Sequence, residues 1–216
     1  MRIITGEFKG RKLESVPDPY LRPIDDRVKG AVFNILAPWL QGAKGLDLFA
    51  GTGAIGLEAL SRGAASVCFV EKERAFQAVL KKNIEKLKVG DRATVWPGDV
   101  FAAVERLGEK KEQFDLIFVD PPYFDRVEVQ AKGKVQQVRG LRKPKDESEN
   151  LQFSATESLP QLILKYFDRY PILNSSGVGI IRTFKKVPLE FEGLGHLVCF
   201  RQERYGDAVV TFFKVK

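Results

Sequence analysis

The 216-residue chain carries 35 Lys and Arg against 28 Asp and Glu, a formal net charge of +7, with 44% hydrophobic and 29% charged residues. That balance excludes the disordered and fibrous classes, and no apolar run approaches the ~18 residues that a membrane-crossing helix needs. The length suits one large domain, or one domain with a small appendage, and the positive charge favours an anionic partner such as nucleic acid.

Met1 to Glu7 lack the long apolar core of a secretory signal and read as mature sequence of a cytoplasmic protein. Residues 1–14 alternate loosely around Gly6 and Gly10, which predicts a hairpin or extended arm. Pro17, Pro19 and Pro23 make 15–25 a loop. From Asp26, the spacing of Val28, Ala31, Val32, Ile35 and Leu36 predicts a helix that ends near Pro38. Strand and helix then alternate: a strand over Gly45–Ala50, a glycine turn, a helix over 53–62, a strand over Ser66–Glu71, and a helix to Lys88. Ala93–Trp96 is a third strand, Val100–Leu107 a third helix, and Phe114–Asp120 a fourth, strongly apolar strand. This rhythm predicts an α/β fold, a mostly parallel, doubly wound sheet with helices on both faces.

The rhythm breaks at 124–155, whose charges, Gly133, Gly140 and Pro144 predict a surface insertion. Beyond it come a helix over Glu157–Arg169, a strand over Val178–Thr183, and an antiparallel hairpin of Leu197–Arg201 with Ala208–Val215 that turns through Tyr205-Gly206-Asp207. Cys68 and Cys199 fall in apolar, strand-like stretches and read as small hydrophobes. The single histidine, His196, and the absence of a Cys/His cluster predict no zinc site.

Asp47-Leu48-Phe49-Ala50-Gly51-Thr52-Gly53-Ala54-Ile55-Gly56 places G-x-G-x-x-G between a strand and a helix. Glycines let the backbone turn tightly and approach a ligand, and the helix start offers free N–H groups. Glu71, at the end of the second strand, is placed to accept hydrogen bonds from a ribose diol. This pattern admits a nicotinamide dinucleotide as well as S-adenosylmethionine, since both present an adenosine. An acidic residue early in the first strand, Asp47, favours the latter. Asp99 is placed either to meet the adenine amino group or to cap the following helix. The cofactor-binding candidates are Asp47, Phe49, Ala50, Gly51, Thr52, Gly53, Gly56, Glu71, Lys72, Asp99 and Val100.

Asp120-Pro121-Pro122-Tyr123 lies at the carboxyl end of the fourth strand, where ligands of open α/β sheets bind. An amino group on a nucleic-acid base is a poor nucleophile while its lone pair is delocalised into the ring. If the Asp120 side chain and the Pro121 carbonyl each accept one of its N–H groups, the lone pair is freed and aimed at a methyl donor. Prolines fix the backbone, and Tyr123 can stack on the base, an interaction worth about 1–3 kcal/mol. A base in a duplex has to be flipped out to reach such a site. These four residues are the catalytic candidates.

With these motifs in hand, the chain resembles the RsmD family, methyltransferases that modify N2 of a guanine in small-subunit (16S) ribosomal RNA. The resemblance includes Arg2 to Gly6, Gly10 to Leu13, Leu21-Arg22-Pro23, Asp26 to Lys29, Phe33 to Leu36, Leu46 to Arg62, Phe69-Val70-Glu71, Asp115 to Tyr123 and Tyr205-Gly206-Asp207. It implies a Rossmann-like class I methyltransferase domain over 41–216, preceded by an RNA-recognising hairpin and helix extension over 1–40. It makes Arg11, Lys12, Arg22, Arg27 and Lys29 candidates for phosphate contacts. The implied partner is ribosomal RNA, naked or within a small-subunit assembly particle, met by a monomer. Two departures stand out: Ile24 replaces the usual threonine, and 124–155 is longer than the usual connection. The alternatives are methylation of adenine N6 in DNA, a nicotinamide-dependent oxidoreductase, and an inactive RNA-binding assembly factor.

Overall fold

The structure, a computed structural model, describes residues 1–16, 24–121 and 158–216. Apolar runs bounded by turn residues become strands β1 (Lys44–Leu48), β2 (Ser66–Glu71), β3 (Ala93–Pro97), β4 (Phe114–Val119), β5 (Leu173–Phe184), β6 (Leu197–Tyr205) and β7 (Ala208–Val215). Among the described residues they form one sheet in the order β3-β2-β1-β4-β5-β7-β6. The first five strands are parallel, whereas β7 runs antiparallel between β5 and β6. The connection between β6 and β7 turns at Gly206, whose φ of 61° suits a residue without a Cβ.

Six helices among the described residues cover the sheet: α1 (Asp26–Ile35), α2 (Ala37–Leu40), α3 (Gly56–Ser61), α4 (Arg74–Leu87), α5 (Val100–Glu109) and α6 (Leu159–Arg169). Three of them start on side-chain caps, with Asp25 accepting from the Arg27 N–H, Asp99 from Phe101 and Ser158 from Gln161. Because β1, β2 and β4 are covered on both faces, they read as nearly continuous apolar runs. One core joins Leu57, Leu60, Phe69, Leu80, Ile84 and Phe118 to Val32 and Phe33 of α1. The other joins Leu46, Val70, Ile117 and Ile181 to Phe101, Val104, Ile163 and Phe167. Ile24, the departure from threonine, is buried in the first core, so an apolar side chain suits its place.

The N-terminal arm doubles back as expected, but its ladder is a single antiparallel bridge, Arg2 to Lys12. The N–H groups of Ile3, Gly10 and Leu13 bond across the arm, to the carbonyls of Arg11, Ile3 and Met1, and others reach α3. Glu58 accepts from Ile4 at 2.8 Å and Thr5 at 3.1 Å, and the Ser61 hydroxyl accepts from Phe8 at 3.0 Å. Helix α3 is shorter than the spacing predicts, because Gly53 to Ile55 still belong to the glycine turn. Strand β5 starts earlier, with Leu173 opposite Phe114 and Val178 opposite Leu116. The intervening polar residues bulge out and are held by Asn174 donating to Asp115 at 3.1 Å and Trp39 donating to the Ser176 carbonyl at 3.1 Å. Among the described residues no helix is long and apolar enough to cross a membrane.

Candidate active site

The parallel register brings the site together. Leu48 lies opposite both Val70 and Val119, Val119 opposite Ile181, and Glu71 opposite Pro97. The next residue along each strand therefore falls in one row across the carboxyl rim: Pro97, Glu71, Phe49, Asp120 and Arg182. This is where an open α/β sheet binds its ligand.

At the middle of the row the backbone leaves β1 with Phe49 at φ 61° and Gly51 at φ 56°. Among the described residues a Cβ on Gly51 would meet only the Phe49 carbonyl oxygen, at 3.9 Å, so they leave space beside this part of the loop. Gly53 and Gly56 face inward, where a Cβ would collide with Leu80 and with the Phe69 ring respectively. Their bareness allows α3 to pack closely on the sheet.

Three carboxylates gather at this rim. Asp47 is 1% exposed, and its Oδ2 accepts the Gly56 N–H at 2.9 Å. Burial, with Asp120 and Glu71 nearby, pushes its carboxyl up to about 8. Glu71 accepts from the Gly51 N–H at 2.7 Å through Oε2, and from Lys72 and Glu73 at 2.8 Å each through Oε1. Burial raises its pKa while these backbone bonds oppose the rise. A carboxylate offers about four acceptor positions, so one on Oε2 remains open. Burial also raises the Asp120 carboxyl, and the Arg182 guanidinium pulls it back down. Arg182 Nε and Nη2 donate to Asp120 Oδ1 and Oδ2 at 2.6 and 2.8 Å.

An adenosine-bearing cofactor suits this rim on three counts: space beside Gly51 among the described residues, an acceptor left on Glu71, and a glycine turn at the carboxyl ends of the strands. Phe49, half-buried, and the buried Ala50 lead into the turn, Lys72 is exposed beside Glu71, and buried Val100 follows Asp99. The Asp99 side chain caps α5 through Phe101 at 3.0 Å. Three of the cofactor-binding candidates also hold the turn together. Asp47 and Gly56 satisfy each other, and Thr52 is 3% exposed, with its carbonyl accepting from Asn83 at 2.9 Å.

Pro121 is buried beside Asp120, whereas Pro122 and Tyr123 lie outside the described residues, as do Arg22 and the 124–155 insertion. Arg11, Lys12 and Arg27 are exposed. Lys29, expected to meet phosphate, is corrected. Its side chain is fully buried, donates to the Arg2 carbonyl at 2.7 Å, and lies 3.3 Å from Glu58. Burial lowers its pKa and Glu58 opposes that fall. A cation without access to water serves the interior.

Sequence reasoning missed two residues. Arg182 stands as a cation inside the apolar run of β5, an anomaly that could have flagged it. Asn83 is fully buried on α4 and ties Glu14 of the arm to Thr52 of the glycine loop, and nothing in the local sequence distinguishes it.

The family model described as "Conserved hypothetical protein 95" matches residues 1–145. A Bacillus subtilis protein named "Putative rRNA methyltransferase YlbH" is 34% identical over 215 residues, covering 99% of this chain and 98% of that protein. The Escherichia coli K12 "Ribosomal RNA small subunit methyltransferase D" is 45% identical over 123 residues, which span 57% of this chain and 60% of that protein. Among solved structures, "Putative methyltransferase yhhF from Escherichia coli" superposes with a TM-score of 0.72 at 28% identity, covering 100% of this chain and 98% of that one. A model match over 1–145 and a relative similar along its whole length lead to one conclusion: the chain belongs to the conserved hypothetical protein 95 family, the RsmD family.

Proposed function

We propose that this protein is a methyltransferase that carries the methyl group of S-adenosylmethionine to the exocyclic N2 of a guanine in small-subunit ribosomal RNA. The observation that carries the reading is the level placement of Glu71, the Phe49–Gly51 turn and Asp120 across β2, β1 and β4. That row sets a nucleoside-binding edge beside a carboxylate followed by proline. The two rRNA methyltransferase relatives support the substrate class.

When bound, S-adenosylmethionine supplies a methyl on a sulfonium, so that the amine lone pair forms the N–C bond, the C–S pair returns to sulfur, and the surplus proton leaves to water. Glu71 holds a ribose hydroxyl on its open acceptor position, with Lys72 and the residues around Asp99 flanking the nucleoside. The turn from Phe49 through Gly53 would border the remainder of the cofactor. Asp120 and the Pro121 carbonyl each take one N–H of the guanine amine and orient its lone pair, and Tyr123 stacks on the base. Residues 1–40 form the RNA-recognising extension, with Arg11, Lys12, Arg22 and Arg27 on phosphates. The substrate is rRNA in the cytoplasm, naked or in an assembling small subunit, engaged by one copy of the chain.

The test is tritium transfer from labelled S-adenosylmethionine to rRNA and to DNA, with calorimetric titration of S-adenosylmethionine and of a nicotinamide dinucleotide. Transfer to rRNA is expected, abolished in Asp120→Ala while cofactor affinity stays within about threefold, because an orienting acceptor acts on the transition state. Transfer to DNA alone, or tight binding of the dinucleotide alone, would refute the reading. Wild-type turnover by Asp120→Ala would refute the mechanism.

A further inference from the structure

Resting on the reading above, we propose that Arg182 is a positioning residue for methyl transfer: its guanidinium grips both oxygens of Asp120 and so fixes the acceptor that orients the substrate amine. The two side chains are 11% and 16% exposed, and their two contacts, 2.6 and 2.8 Å, run from Nε and Nη2 to separate oxygens. Such a fork fixes the carboxylate plane as well as its place. An aspartate held at its backbone alone rotates about its terminal torsion, a broad, two-fold well. The fork also leaves acceptor capacity. Each carboxylate oxygen has about two acceptor positions and gives one to Arg182, so one on each remains for an amine N–H.

Charge adds a second reason. Asp120 faces Arg182 from β5 and lies within electrostatic reach of Asp47 from β1, which is itself near Glu71 of β2. Burial already raises the Asp120 carboxyl, so without its cation it would hold a proton to higher pH. A protonated carboxyl is a weaker acceptor for the amine N–H. Arg182 sits beside Asp120 because Ile181 pairs with Val119 in the parallel register. Its side chain is 11% exposed, so the guanidinium meets Asp120 with little solvent between them.

The test compares the full-length wild type with Arg182→Met and Arg182→Lys, using S-adenosylmethionine and small-subunit rRNA. kcat and KM are followed across pH, and cofactor affinity is measured separately. Arg182→Met is expected to lose about a hundredfold in kcat, the scale of one lost electrostatic support. Its KM for RNA and its cofactor affinity should stay within about threefold of wild type, since only the transition state uses the fork. The acidic limb of its kcat profile should move to higher pH, because the ionised Asp120 is the active form. Arg182→Lys keeps the charge but loses the fork, so it should restore the limb while recovering the rate only in part. Unchanged kcat in Arg182→Met, or an equal loss at every pH with an unmoved limb, would overturn the proposal. If Arg182→Met fails to bind cofactor, unaltered kcat in Arg182→Lys overturns it instead. A wild-type protein that transfers no methyl to rRNA sinks the underlying function and this role together. Wild-type transfer with an indifferent Arg182 sinks this role alone.

Discussion

Asp47 is nearly sealed from solvent, and its single-residue chemistry carries a consequence for the whole fold. An unfolded Asp47 releases its proton near 3.8, whereas the folded one holds it to about 8. Between those values the folded protein binds the extra proton, so its stability falls as pH rises through the window. From pH 5 to 8 this one group removes about 3–4 kcal/mol, at ~1.4 kcal/mol per unit. Asp47→Asn keeps an oxygen to accept the Gly56 N–H and has no proton to lose. Urea denaturation at the two pH values should therefore show the variant gaining on the wild type by that amount on going to pH 8. Parallel changes in both proteins would mean that Asp47 does not titrate in this window. The same residue shows what a sequence conveys and what it hides. An acidic residue at the start of the glycine motif was legible, but its role as a buttress depends on burial, which spacing does not report.

At the scale of elements, the arm is fastened to α3 by a buried carboxylate, Glu58, and by Ser61, which bonds Thr5, Glu7 and Phe8. Glu58 is fully buried between Lys29 at 3.3 Å and Arg62 at 2.7 Å, and also takes the N–H groups of Ile4 and Thr5. The exposed pair Glu7 with Arg92 contributes little by comparison, ~0–1 kcal/mol for such contacts. Glu58→Gln leaves two buried cations without a counter-charge, a change that costs about 3–5 kcal/mol. The expected result is a lower urea midpoint, together with early proteolytic cleavage within residues 1–16 while the sheet domain resists. Global loss of resistance without early cleavage of the arm would refute the clamp. Here the sequence showed Glu58 and Arg62 at helical i, i+4 spacing, which ordinarily marks a solvated face. It could not show that the arm would fold over them. The strands of the parallel core were legible because burial on both faces makes them continuous apolar runs. The start of β5 was not, because Asn174 to Gly177 have turn composition and are held by Asp115 and Trp39, distant in sequence. Arg182 stayed hidden for the same reason: its partner Asp120 is 62 residues away.

At the scale of the molecule, the surplus of seven positive charges is useful to RNA only where the cations reach water. Arg11 and Lys12 do, on an arm whose Glu14 is tied through Asn83 to Thr52 of the glycine loop, so RNA bound there, as proposed, would lie against the element that bears that loop. Lys29 belongs to the same stretch of sequence but spends its charge on Glu58. Each phosphate neutralised on single-stranded RNA adds about 0.7 to the slope of log affinity against log salt. Fluorescence anisotropy with a labelled rRNA fragment, over ~50–200 mM salt, should therefore give shallower slopes for Arg11→Gln and Lys12→Gln, by about 0.7 each. Lys29→Met should keep the wild-type slope although it destabilises the fold, and retained cofactor affinity would report that the measured protein is folded. A slope lost in Lys29→Met would return that residue to the RNA surface, and slopes unchanged in Arg11→Gln and Lys12→Gln would move the phosphate contacts off the arm.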